Sequence, residues 1–144
     1  MSYTACIYGE KHSQVDGTSY ACVVVMALME ASRTAIDPKR RLMWDAKLAK
    51  FLDRMQTCGT DIIGSTFDRI VVTSVDDKDE FIKALFHAMA KLKSFKGEIP
   101  NAYLRELTGQ GDGPGYIQNI VYEPGPFVKT IRTIINLLRG IESY

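Results

Sequence analysis

The pattern of apolar and polar residues predicts a long buried helix near the start of the chain. Residues 20–29 form ten apolar positions in a row, directly after the polar residues Asp16, Thr18 and Ser19. Asp, Thr and Ser are favoured at helix N-termini, and a helix that is apolar on every side is buried all round. Ten residues are too few to cross a bilayer, which needs about 20. We therefore expect residues 18–34 to form the central helix of a soluble core.

Further stretches show helical spacing. A second helix starts at Asp37-Pro38 and stops before Gly59, a third covers residues 77–94, a short one covers residues 100–107, and the last begins near Pro126. Proline at the first helical position and glycine just beyond the end are typical helix boundaries. The second helix has an apolar stripe of Trp44, Leu48, Phe51, Leu52 and Met55. The stripe of the third helix consists of Phe81, Leu85, Met89 and Leu92, and that of the last helix consists of Phe127, Ile131, Ile134, Ile135, Leu138 and Ile141.

Three segments are rich in strand-forming residues. Residues 2–8, 67–75 and 116–122 are predicted as strands, and the second contains the β-branched run at residues 70–72. Residues 10–17 are predicted as a polar loop. The pattern indicates an α/β or α+β fold with about three strands and four to five helices, and a mostly helical domain is the alternative.

Composition places the chain among ordinary globular domains. Its 144 residues suit a single domain, 46% are hydrophobic, 24% are charged, and the net charge of +1 gives no global attraction to nucleic acid or membranes. Three cysteines without paired spacing argue against a disulfide framework, and the first ten residues do not resemble a secretory signal. We expect a cytoplasmic protein without a membrane span or a cofactor.

Basic residues on the second helix form the first candidate site. Lys39, Arg40, Lys47, Lys50 and Arg54 fall along one side of this helix. Cations at these spacings can follow the phosphates of a nucleic acid without reading its bases. Two aspartates on the same helix favour the alternative of a solvated, charge-paired face.

Acidic residues at the start of the third helix form the second candidate site. Asp76, Asp77 and Asp79 follow the predicted strand at 67–75, and Glu10 follows the first strand. Together they suit a divalent cation in a phosphohydrolase or nuclease. The interpretation we favour is helix capping, in which Ser74, Asp76 or Asp77 accepts the free backbone N–H groups and acidic residues in the first turn stabilise the positive end of the helix dipole.

Cys22 is the third candidate, as the nucleophile of a thiol hydrolase. It lies in the first turns of the predicted central helix, where helix dipoles stabilise a thiolate, and His12 and Asp16 lie upstream. Its apolar neighbours favour instead a buried cysteine that acts as a small hydrophobic residue.

The absence of a catalytic motif favours a non-enzymatic binding module. We expect a subunit or accessory factor that contacts a protein partner or a second copy of itself, with the basic helix as a candidate contact to nucleic acid. The metal-dependent and thiol-dependent enzymes remain the alternatives.

Overall fold

A computed structural model describes residues 3–58, 67–109 and 120–140 of the chain. The chain begins with two antiparallel strands, β1 (Tyr3–Tyr8) and β2 (Lys11–Asp16). Five α-helices follow, which are α1 (Gly17–Thr34), α2 (Pro38–Cys58), α3 (Val75–Lys93), α4 (Asn101–Thr108) and α5 (Pro124–Leu138). The described residues are thus mostly helical with a two-stranded sheet, which is broadly an α+β arrangement.

The first two strands form a tight hairpin. Tyr8 pairs with Lys11, so only Gly9 and Glu10 make the turn, and Gly9 has a φ of 63°. A positive φ at the first of two turn residues is the position that type II′ turns give to glycine. The prediction of a polar loop over residues 10–17 is therefore wrong. A mostly polar segment can form β2 because only its backbone needs to pair with β1. Its side chains remain largely outside the core, and Val15 is the buried exception.

Helix α1 lies at the centre of the molecule, as its sequence predicted. Residues 20–28 are at most 4% exposed, and α1 packs against both strands and the four other helices. Asp16 caps the helix, since its Oδ2 accepts hydrogen bonds from the Ser19 backbone N–H and hydroxyl, both at 2.9 Å. None of the helices in the described ranges is long and apolar enough to cross a membrane.

The segment at residues 67–75, predicted as a strand, begins with a short π-helical turn instead. This turn covers Phe67–Val71, and the Val72 N–H donates to the Phe67 carbonyl at 3.1 Å. The Phe67 ring is fully buried, with its centroid 6.3 Å from that of Tyr20 and 5.8 Å from that of Phe81. Ring packing in the core therefore takes the place of strand pairing for this apolar run.

The other predicted boundaries largely agree with the structure. The four other predicted helices correspond to α2, α3, α4 and α5, each within a few residues. Most of the predicted third strand at 116–122, and Ile141, lie outside the described residues. Of that strand's described residues, Tyr122 pairs with Ile99 in an isolated antiparallel bridge. A three-stranded sheet is not seen in the described parts of the chain, where β1 and β2 pair only with each other.

Candidate functional site

Asp77 is the buried centre of an ionic cluster between α2 and α3. Its side chain is only 2% exposed. Its Oδ1 accepts a hydrogen bond from Arg40 Nη2 at 2.7 Å, and its Oδ2 accepts one from Lys47 Nζ at 2.7 Å. The Thr73 hydroxyl and backbone N–H also donate to Oδ2, at 2.9 and 3.2 Å. Both carboxylate oxygens are therefore occupied by charged donors.

The local sequence explains why Asp77 faces inward. Ser74 is the N-cap of α3, and its Oγ accepts the Asp77 backbone N–H at 3.2 Å. The predicted capping at the start of this helix is thus confirmed, with Ser74 as the capping residue. Asp77 lies four residues before Phe81, which is fully buried, so both side chains share the inner face of α3.

The cluster extends to Trp44 and joins three elements. Arg40 also bonds Glu80, and Trp44 Nε1 donates to Glu80 Oε1 at 3.5 Å. Lys47 Nζ lies 5.3 Å from the Trp44 ring centroid and donates to the carbonyl of Val71, the last residue of the π-helical turn, at 2.8 Å. The cluster thus fixes the relative positions of α2, α3 and the π-helical turn.

The electrostatics of the cluster keep Asp77 ionised. Burial alone would raise the pKa of this carboxyl, but hydrogen bonds from Lys47, Arg40 and Thr73 outweigh it and hold the pKa well below its usual range. A carboxylate in this environment is a structural anion, since it is not protonated near neutral pH.

Because of this cluster, the five candidate basic residues of α2 do not form one exposed surface. Arg40 and Lys47 point to Asp77, whereas Lys39, Lys50 and Arg54 are exposed. The two inward cations are already neutralised by carboxylates and have little charge to offer a phosphate. The structure therefore divides the predicted nucleic-acid site into a partly buried pair bound to Asp77 and an exposed trio.

The four acidic residues of the predicted metal site are in different environments. Asp77 is enclosed by cations, while Glu10, Asp76 and Asp79 are exposed. Among the described residues, no group of three or more His, Cys, Asp or Glu side chains could hold a metal ion. The carboxylate of Asp77 has no oxygen left to bind a metal cation, because Arg40 and Lys47 already occupy both of its oxygens.

Cys22 is part of the core. Its side chain is fully buried, and this burial, with a contribution from the charge of Asp16, raises the pKa of its thiol to about 12. His12 is exposed on β2. The interpretation of Cys22 as a small hydrophobic residue is confirmed, because a thiol at this pKa is not a nucleophile at neutral pH.

A surface depression that the sequence did not predict lies beside α4. Met29 ends the apolar run of α1, yet it is 47% exposed. With Leu48 and Leu52 of α2 and with Tyr103 and Leu107 of α4, it lines a cavity of about 460 Å³. Val25 and Glu106 complete the lining, so six of the seven lining residues are apolar or aromatic, as is typical of a site that binds apolar groups, and Glu106 is the one charged residue.

A second depression lies beside the same face of α4. This one has a volume of about 210 Å³, shares Met29, Tyr103 and Leu107 with the first, and is closed by Ala88 and Lys91 of α3. We call the two depressions together the α4 groove. Sequence periodicity did not reveal it, because an apolar run gives no sign of which positions its neighbours leave uncovered.

Tyr103 is held in place where the two depressions meet. Its ring centroid lies 5.2 Å from that of Phe95, and Lys91 Nζ lies 5.9 Å from the Tyr103 centroid. Burial, with contributions from Cys22 and Glu30, raises the pKa of the Tyr103 hydroxyl, so this group stays a neutral hydrogen-bond donor. An apolar floor with a neutral hydrogen-bond donor beside it suits a site that binds a ligand without catalysing a reaction.

Comparisons with protein-family models, with curated proteins and with solved structures gave no match. The indications of function therefore come from this chain's own geometry. Within its described residues, that geometry combines a saturated ionic cluster, protonated core thiols and an open apolar groove.

Proposed function

We propose that the protein is a non-enzymatic binding module, an accessory subunit of a larger assembly, and that the α4 groove holds the apolar face of a helix from a partner protein. The single observation that carries this proposal is the exposure of the Met29 side chain. Met29 continues a run of fully buried residues, yet nearly half of its side chain is open to solvent. A large apolar side chain at the floor of a groove gains free energy when a partner covers it.

The shape of the groove favours a helix as the occupant. Tyr103 and Leu107 are four residues apart on α4 and therefore lie on one face, one turn apart. They form a ridge between two depressions, and a helix with apolar residues at spacings of three and four can place side chains on both sides of such a ridge.

The side chains that line the groove are also suited to contact. Methionine is flexible and polarisable, so Met29 can adapt to the shape of a partner's side chains. Glu30 and Lys91 place one charge of each sign beside the smaller depression. A polar rim around an apolar centre is the usual arrangement of protein interfaces.

Two observations speak against the enzymatic alternatives. A metal-dependent enzyme would need Asp77 as a ligand, but Arg40 and Lys47 occupy both of its oxygens. A thiol hydrolase would need Cys22 as a thiolate in contact with solvent, and the thiol is buried and protonated. These observations support the binding module.

Site-specific photo-cross-linking tests the proposal. A benzophenone amino acid in place of Leu52, at the wall of the groove, is expected to cross-link a partner protein in cells of the source organism. The matched control is the same amino acid in place of Leu42, an exposed apolar residue ten positions, or about 15 Å, back along α2. Leu42 lies outside the groove and is expected to give no such product.

A second substitution ties the product to the groove itself. Met29→Glu places a charge on the floor of the groove and should weaken binding by about thirtyfold or more, as expected for a central interface residue. The Leu52 product should then disappear. A product that persists with Met29→Glu, or that the Leu42 probe also gives, would contradict the proposal. A product of twice the protein's own mass would mean that the occupant is a second copy.

A further inference from the structure

A second surface, on the other side of α3, combines cations with an exposed aromatic ring. A shallow cavity of about 580 Å³ lies between α3 and the end of α5, and we call it the cationic pocket. It is lined by Lys78, Asp79, Ile82, Lys83, Phe86 and Arg139. Three cations and one carboxylate give it a net positive charge, although the whole chain is close to neutral.

The cations of this pocket are available, unlike those that surround Asp77. Within the described parts of the chain, no carboxylate lies within salt-bridge distance of Lys78, Lys83 or Arg139. No carboxylate of the described residues 3–58, 67–109 and 120–140 therefore forms an ion pair with them. An anionic ligand can bind them without first breaking an ion pair.

Phe86 gives the pocket a flat apolar surface. Its side chain is 46% exposed, and the guanidinium carbon of Arg139 lies 5.6 Å from its ring centroid. Arginine beside an aromatic ring is a common cation–π arrangement, and both groups can stack against a nucleobase. An exposed ring that is surrounded by cations is thus suited to a ligand with a planar apolar part and negative charges.

We propose that the cationic pocket binds single-stranded nucleic acid. The phosphates contact Lys78, Lys83 and Arg139, and an unpaired base stacks on Phe86 and Arg139. A duplex keeps its bases stacked inside and cannot present a base face to the ring, so single strands are preferred. Asp79 opposes the phosphates, which keeps the affinity modest.

This inference is independent of the α4 groove. Phe86 is exposed whereas Ala88, two residues further along the helix, is buried and faces the groove, because residues two apart lie on nearly opposite sides of a helix. The site also differs from the basic side of α2, so variants of the two surfaces can be compared directly.

Fluorescence anisotropy with a labelled oligothymidylate of about 12 nucleotides, and with a duplex of the same length, tests this proposal. The single strand is expected to bind more tightly than the duplex. Three contacted phosphates predict a slope of log K against log salt concentration of about −2, since each releases about 0.7 counterion.

Substitutions identify the residues responsible. Phe86→Leu removes the ring but keeps an apolar side chain, and should lower the affinity about tenfold. Lys83→Gln should change the salt slope to about −1.4, because one phosphate contact is lost. Asp79→Asn should raise the affinity. The matched control, Lys50→Gln on α2, should leave affinity and slope unchanged, and circular dichroism should show the same helix content for every variant.

Three results would overturn the proposal. The first is wild-type affinity in Phe86→Leu, which would show that no base stacks on the ring. The second is an equal loss of affinity in Lys50→Gln and Lys83→Gln, which would mean that the whole basic surface acts without a defined site. The third is binding of the duplex as tight as that of the single strand.

Discussion

The carboxylate of Asp77 is buried with two cations, and this determines what the residue can do. Arg40 and Lys47 approach from α2, while Thr73 donates from the segment just before α3. A buried charge is tolerated when it is paired and its remaining lone pairs are satisfied, and Asp77 meets both conditions. This residue, one of the four candidate metal ligands of the sequence, is therefore a structural link between α2 and α3.

Removing the charge of Asp77 should destabilise the protein strongly. Asp77→Asn leaves Arg40 and Lys47 without their shared carboxylate, and breaking a buried ion pair in this way costs about 3 kcal/mol of the free energy of unfolding. Urea denaturation at neutral pH measures the change. Asp76→Asn is the matched control, because Asp76 is exposed in the same helical turn, and should cost less than about 1 kcal/mol. Equal losses in the two variants would contradict the structural role of Asp77.

The same carboxylate predicts how stability depends on pH. The pKa of Asp77 is lower in the folded protein than its ordinary value of 3.8, so the folded state favours the ionised form. Its contribution to stability is fully present above that ordinary value and is lost as the pH falls from about 4 towards the folded pKa. The difference in unfolding free energy between wild type and Asp77→Asn should therefore shrink between pH 5 and about pH 2. A constant difference across this range would be inconsistent with a depressed pKa.

The buried thiols should be unreactive in the folded protein. Burial raises the pKa of both Cys6 and Cys22 to about 12, so the thiolate fraction at pH 8 is about 10⁻⁴. In a Cys58→Ser variant, iodoacetamide should modify no cysteine until urea unfolds the chain, and mass spectrometry should then detect two additions. Rapid modification of Cys22 in the native state would restore the thiol hydrolase as a hypothesis.

At the level of elements, the helix starts differ in how their free N–H groups are satisfied. The Asp16 side chain caps α1 and the Ser74 side chain caps α3, whereas Glu123, at the start of α5, makes no side-chain capping bond. The N-cap of α5 is followed by Pro124, and proline in the first turn has no N–H to satisfy. These three starts therefore offer a comparison within one molecule.

Capping predicts an asymmetry between α1 and α5. Asp16→Ala removes the acceptor of two hydrogen bonds from Ser19 and should lower the free energy of unfolding by about 1 kcal/mol. Glu123→Ala removes no capping bond and should change it by less than about 0.5 kcal/mol. Thermal unfolding followed by circular dichroism measures both. A larger loss in Glu123→Ala would show that the capping pattern does not control these helix starts.

The whole molecule is organised around α1, and this predicts cooperative unfolding. Trp44, the only tryptophan, is fully buried on α2, and its ring centroid lies 6.0 Å from that of Phe81 on α3. Its fluorescence therefore reports on packing between two helices that both contact α1. The fluorescence transition in urea should coincide with the loss of helical circular dichroism, as in a two-state domain. Separate transitions would show that the helices do not unfold as one unit.

The two proposed binding surfaces lie on different sides of this core. The α4 groove offers apolar contact area, and the cationic pocket offers charge and an aromatic ring. They involve different faces of α3, so Met29→Glu should leave oligonucleotide binding unchanged, and Phe86→Leu should leave the Leu52 cross-link unchanged.

The helices and the central position of α1 could be read from the sequence alone. Apolar spacing, together with capping residues such as Asp16 and Ser74, is a local signal, because a helix satisfies its backbone hydrogen bonds within its own segment. The burial of Cys22 followed from the same signal, since its neighbours along the helix are apolar on every side.

Only the tertiary structure decided the identity of the strands and the surfaces. A strand needs a partner, so the β-branched run at residues 70–72 did not become one, whereas the polar β2 paired with β1. Likewise, Arg40 became a partly buried partner of Asp77 and Met29 became exposed because of which helices pack beside them. Contacts between residues distant in sequence determine such outcomes, and the pattern of apolar and polar residues along one segment does not record them.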